Sequence, residues 1–124
     1  MSFTAIALIL PYVSIAVLGA VLGSFTTALT HRIRHKQQWV SGRSKCPHCH
    51  TIIRWFDNIP ILSWLLLRGQ CRQCHDRISI SYPIIEIISM MTALFFYHFL
   101  GLSPLLLIVF IFQPFIMALS LIHI

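Results

Sequence analysis

The chain has 124 residues, 57% of them apolar and only 10% charged, with a formal net charge of +6. Soluble domains carry roughly 25% charged residues, so this composition is not that of a soluble globular domain, which needs more polar surface. All nine Lys and Arg residues lie between Arg32 and Arg77; a basic block between apolar flanks reads as a cytoplasmic segment beside membrane spans rather than a nucleic-acid-binding surface.

In chain order, the run from Phe3 to about Leu29 is apolar and uncharged. It is long enough for a bilayer core, which takes roughly 20 helical residues. Residues 1–30 are therefore expected to form a first transmembrane helix, with Pro11 tolerated inside it. Its basic residues follow the apolar stretch instead of preceding it, which suits a retained anchor and not a cleaved signal peptide. Gly19 and Gly23, with Ala20 and Ser24, repeat at four-residue spacing. Such a face lets another helix approach closely, although small residues are also ordinary in membrane helices.

Residues 31–81 form a polar, cysteine-rich loop with one apolar insert, Ile59–Leu67, too short to span a bilayer. The insert is expected to pack as a small core. The other reading places it in the membrane interface with Trp55 and Trp64 as anchors. Apolar sequence resumes near Tyr82, giving a second span over 82–101. Gly101, Ser103 and Pro104 make a turn, and a third span starts within 102–124. The expected fold is mainly α: about three polytopic membrane helices around a cytoplasmic, zinc-ribbon-like loop of four cysteines.

The loop holds Cys46-Pro47-His48-Cys49 and Cys71-Arg72-Gln73-Cys74, separated by residues 50–70. Two Cys-x-x-Cys knuckles at this separation are the sequence form of a tetrahedral four-cysteine zinc site, since each short spacer lets two sulfurs face one point. Cys46, Cys49, Cys71 and Cys74 are the expected ligands. Paired disulfides need an oxidising compartment, and a redox Cys-x-x-Cys fits two pairs less well. His48, His50 and His75 stand beside the thiols and could substitute as ligands, but are read as exposed loop residues, since four thiolates already fill a structural site. A closed site of four thiolates has no open position for a reacting water, so the zinc is expected to be structural and to contribute folding energy to a loop with little core.

Around the cysteines the sequence reads Trp55-Phe56-Asp57-Asn58-Ile59-Pro60-Ile61-Leu62-Ser63-Trp64-Leu65-Leu66-Leu67-Arg68-Gly69. It ends with Ile78-Ser79-Ile80-Ser81-Tyr82-Pro83 and Glu86, and Gly23-Ser24-Phe25 precede it. From Gly19 to Glu86, in order, spacing and intervening residues, the chain resembles the amino-terminal domain of the type IV prepilin peptidases. The resemblance implies a bacterial inner-membrane enzyme acting on prepilins and pseudopilins. It would cut their basic leaders at the cytoplasmic face, then methylate the new amino terminus with S-adenosylmethionine. It also implies that the present domain is the one associated with methylation.

The family cuts with two aspartates on later membrane helices. Here the acidic residues are Asp57, Asp76 and Glu86, and the family's Gly-x-Gly-Asp motif is absent. No catalytic residue is assigned, and the chain as it stands is expected to be inactive as a peptidase. Asp57 reads as a turn residue before Pro60 and Asp76 as solvated. Glu86 is the one candidate functional carboxylate, because a charge at the edge of a span is costly unless partnered; a bond to a loop arginine or to backbone is favoured over catalysis. Ala118–Ile124 stands where the family has an aspartate-bearing run, with His123 at the aspartate's place. The hexapeptide Leu119–Ile124 is also what the end of a common sequencing adapter encodes, so these six residues are expected to be artefactual. The competing class is a non-enzymatic membrane protein whose zinc loop binds a partner or nucleic acid. Its aromatic residues cluster with apolar ones instead of interleaving with arginine, as a base-stacking surface would require.

Overall fold

The computed structural model describes residues 3–34, 45–46 and 48–123. Ser44 and Pro47 of the first cysteine motif, and Ile124, lie outside them. Helix α1 spans Phe3–Arg34. It continues past the apolar run because nothing before Arg34 breaks it, and His31, Arg32 and Arg34 in its last turn suit the negative end of the helix dipole. At 1.5 Å per residue it is about 48 Å long, longer than a hydrocarbon core of roughly 30 Å. A 3-10 turn, Trp55–Asn58, and the short helix α2, Leu62–Leu66, lie in the loop. Helix α3 covers Ser81–Leu100 and carries Pro83 in its first turn, where a missing N–H costs nothing. Gly101, at φ 59°, ends it by donating its N–H to the Tyr97 carbonyl, and Pro104 opens α4, Pro104–His123. Three helices, α1, α3 and α4, are long and apolar enough to cross a membrane. Among the described residues there is no strand, only two isolated bridges.

Helices α1 and α3 run antiparallel and meet through their small residues. A Cβ on Gly19 would stand 2.7 Å from the Ala93 Cβ and 2.9 Å from the Met90 Cα; one on Gly23 would stand 2.8 Å from the Glu86 Cα. The Gly-x-x-x-Gly spacing therefore serves backbone contact. Polar bonds tie the three helices where hydrocarbon offers no competing partner. The Ser89 hydroxyl donates to the Gly19 carbonyl at 2.7 Å, and Gln113 Nε2 donates to the Ser89 hydroxyl at 2.6 Å. Thr26 and Thr30 return their hydroxyls to carbonyls one turn earlier, so they are buried without an unmet donor. Toward the other end Ile15, Ala93 and Leu106 form the apolar core, flanked by Leu94, Phe96, Tyr97 and Phe110. Most large apolar side chains on α1, α3 and α4 face outward, as expected of helices solvated by lipid.

The insert Ile59–Leu67 does not make the small core expected of it. No residue of α2 is buried, and Leu62, Leu65 and Leu66 are exposed, Leu66 by 76%. The helix is barely more than one turn long, so only the side holding Trp64 and Leu67 turns inward.

Candidate metal centre

The two cysteine motifs fold alike. In the first, Cys46 N–H donates to the Thr51 carbonyl at 3.0 Å and His50 N–H to the Cys46 carbonyl at 3.0 Å, closed by a bridge between Lys45 and Ile52. In the second, Cys71 N–H donates to the Asp76 carbonyl at 2.8 Å and His75 N–H to the Cys71 carbonyl at 3.0 Å, closed by a bridge between Gln70 and Arg77. His50 and His75 each take a positive φ, 54° and 56°, which reverses the chain after the second cysteine. The repeated Cys-His step was visible in the sequence, and in the structure it marks a backbone turn.

The two knuckles face each other and bring the four sulfurs within 4.8 Å of one another. Cys46 Sγ lies 3.8 Å from Cys74 Sγ, and Cys49 Sγ lies 4.0 Å from Cys71 Sγ. A zinc–sulfur bond of about 2.3 Å gives a tetrahedral edge of about 3.8 Å, so the four thiols fit a zinc-sized ion with little adjustment. None is joined in a disulfide. Their protonation is divided. The Thr51 hydroxyl and backbone N–H draw the Cys49 thiol down to about 6. Backbone N–H groups of Cys74 and Gln73 lower Cys71. For Cys74 the Asp76 N–H also lowers, but desolvation and the three neighbouring sulfurs outweigh it and push the thiol up to about 12. Four thiolates this close repel one another, and a bound dication is what lets all four ionise together.

Side-chain contacts brace the knuckles. Arg72 grips Asp57 with two parallel bonds from one edge of its guanidinium, Nη2 to Oδ1 at 2.6 Å and Nε to Oδ2 at 3.1 Å, and its cation lies 5.6 Å from the Phe56 ring centre. Asp57 thus joins the 3-10 turn to the second knuckle. Asp76, expected in solvent, pairs its Oδ2 with His48 Nε2 at 2.6 Å and accepts the Arg77 N–H, so it links the knuckles. Trp64 donates its indole N–H to the Ile78 carbonyl and lies against Gly69, which at φ 67° leaves room for the ring. Glu86 reaches the loop through a backbone group: Ile61 N–H donates to its Oε2 at 2.6 Å. Between the loop and the ends of α1 and α3 is a cavity of about 840 Å³, lined among others by Thr27, Cys46, Arg54, Trp64, Tyr82 and Glu86.

The sequence profile of the bacterial peptidase A24 N-terminal domain matches residues 17–100, from the glycine face of α1 through the end of α3. The chain belongs to this family. A prepilin leader peptidase/N-methyltransferase of Myxococcus xanthus is 44% identical over 73 residues, 59% of this chain and 22% of that protein. One from Vibrio cholerae is 40% identical over 80 residues, 58% of this chain and 32% of the relative. One from Pectobacterium carotovorum is 34% identical over 104 residues, 65% of this chain and 37% of the relative. The chain thus spans less than two fifths of the length of these relatives. No solved structure matches it. Within the A24 N-terminal domain family, the three apolar helices mark this chain as an integral membrane protein, and its four clustered thiols could bind a metal such as zinc.

Proposed function

We propose that this chain is the amino-terminal part of a bacterial prepilin leader peptidase and N-methyltransferase, with its cysteine loop on the cytoplasmic side of the inner membrane. Its substrates would be prepilins or pseudopilins, and S-adenosylmethionine would be the methyl donor. What carries the reading is a tetrahedral set of four thiols inside a domain matched, over most of its length, to enzymes of that name. Cys46, Cys49, Cys71 and Cys74 would hold zinc. The ion would supply a fixed junction between the knuckles and, with four thiolates around it, no open position for chemistry. The confinement of Lys and Arg to the loop and the end of α1 supports the cytoplasmic orientation. The cavity of about 840 Å³ beneath the loop would give donor and new amino terminus room to meet.

Leader cleavage needs carboxylates that these residues do not offer. Asp57 is held by Arg72, Asp76 lies beside His48, and Glu86 is held by backbone of the loop. The test is complementation in a strain lacking its own prepilin peptidase. The 124-residue chain should leave leaders uncut, and a longer chain that adds the family's two aspartate-bearing helices should restore both cleavage and methylation. Cleavage by the shorter chain, or no activity from the longer one, would refute the proposal.

A further inference from the structure

We propose that Glu86 is a positioning residue whose carboxylate pins the cysteine loop to the α1–α3 pair by holding a strained turn at Ile61. Ile61 has φ 60° and ψ −50°. Leu62 N–H closes on the Pro60 carbonyl at 2.5 Å, which makes this a γ-turn of the rare positive-φ kind. A β-branched residue in that region is a backbone outlier, and such outliers persist only where surroundings over-determine them. The surroundings here are specific. The turn aims the Ile61 N–H at Glu86 Oε2, 2.6 Å away, and Ser24 of α1 lines the same cavity as the carboxylate. Glu86 is only 7% exposed, and its Cα is seated against Gly23.

A carboxylate at the end of a membrane helix is costly without partners. Its hydrogen-bond partner here, the Ile61 N–H, comes from the loop, so satisfying it requires the loop to be down. The contact also sets the course of the chain beyond Ile61. Helix α2 begins at Leu62, immediately after the turn, and carries Trp64 to the Ile78 carbonyl beneath the second knuckle. The bond from Ile61 to Glu86 therefore fixes the wall of the cavity that α2 provides. This deepens the proposed function and rests on it only for the cavity's role; the geometry stands apart from the metal.

The test is hydrogen–deuterium exchange on the full chain in detergent micelles, with zinc content measured on the same samples. Glu86→Gln keeps an acceptor oxygen at the same reach, so protection of residues 58–67 should stay within about threefold of the parent, whereas Glu86→Leu keeps the bulk, loses the acceptor and should exchange at least about tenfold faster. Zinc content should be the same in all three. Retained protection in Glu86→Leu would mean that bulk alone holds the loop and would overturn the proposal. Equal loss in Glu86→Gln would overturn it as well, since an amide oxygen accepts the same bond. A parent chain without zinc would refute the metal reading and leave the Glu86 result standing. A readout on the unaltered chain covers any failure of Glu86→Leu to assemble. With nitrogen-15-labelled isoleucine, the Ile61 amide proton should resonate well downfield of an exposed amide, and an unshifted resonance would count against the bond.

Discussion

The Ser89 hydroxyl lies 2.7 Å from the Gly19 carbonyl, a hydrogen bond from α3 to α1 that exists because glycine lets the two backbones touch. Gly19→Val and Gly23→Val would each drive a side chain into backbone of α3. Overpacking of this kind costs about 1–3 kcal/mol, so both variants should melt earlier in detergent, followed by circular dichroism. Ser89→Ala loses both interhelical bonds of its hydroxyl, the one to Gly19 and the one from Gln113, each worth about 0.6 kcal/mol on average in membrane proteins, and should melt earlier than the parent.

Gly69 sits at φ 67° with the Trp64 ring where a Cβ would be, 2.8 Å from the nearest ring carbon. Gly69→Ala combines a left-handed backbone penalty of about 1–2 kcal/mol with displacement of the indole from Ile78. Its tryptophan emission should shift to the red as Trp64 is released, while the helix content stays at the parent value. An unshifted spectrum would show that Trp64 does not need this glycine.

Metal affinity should depend on pH with a break near 6. The folded Cys49 thiol lies at about 6 against an ordinary 9.0. Its contribution to the metal-free fold is thus complete above 9 and is lost as pH falls through about 6. Cys74 runs the other way: raised from 9.0 to about 12, it favours the fold below 9 and ceases to as pH rises through 12. At neutral pH Cys49 already binds as thiolate, while Cys74 must release a proton to the buffer. Below about 6 one more proton must leave, so a plot of log affinity against pH should steepen there by about one unit per pH unit. Competition titration against a zinc-binding dye, from about pH 5 to about pH 8, measures this.

Arg72→Lys keeps the charge and loses the two-bond grip on Asp57. The 3-10 turn Trp55–Asn58 should then be cut faster by limited proteolysis, with zinc content unchanged. Equal cleavage rates would mean that the fork does not hold the turn.

The spans and the sulfur cluster were legible because each arises from a local rule. Apolar length marks a membrane helix, and Cys-x-x-Cys turns two sulfurs to one point whatever surrounds them. Gly19 and Gly23 carried a readable spacing, but only the structure distinguishes a contact face from ordinary small residues, since the deciding neighbours, Glu86 and Ala93, lie far along the chain on α3. Ile59–Leu67 looked like core by composition. Its Leu62, Leu65 and Leu66 are exposed instead, because a helix of barely one turn cannot bury two sides, and apolarity does not say what it faces. The Ile61 turn had no sequence signal: isoleucine predicts extended backbone, and the acceptor that stabilises the exception lies on another helix.

X-ray absorption at the zinc edge, on the chain purified under reducing conditions, tests the central claim most directly. One zinc per chain with four sulfur neighbours at about 2.3 Å is the predicted result, and Cys46→Ser or Cys71→Ser should abolish it. A metal-free chain, a shell containing nitrogen or oxygen in place of sulfur, or cysteines recovered as disulfides would contradict it.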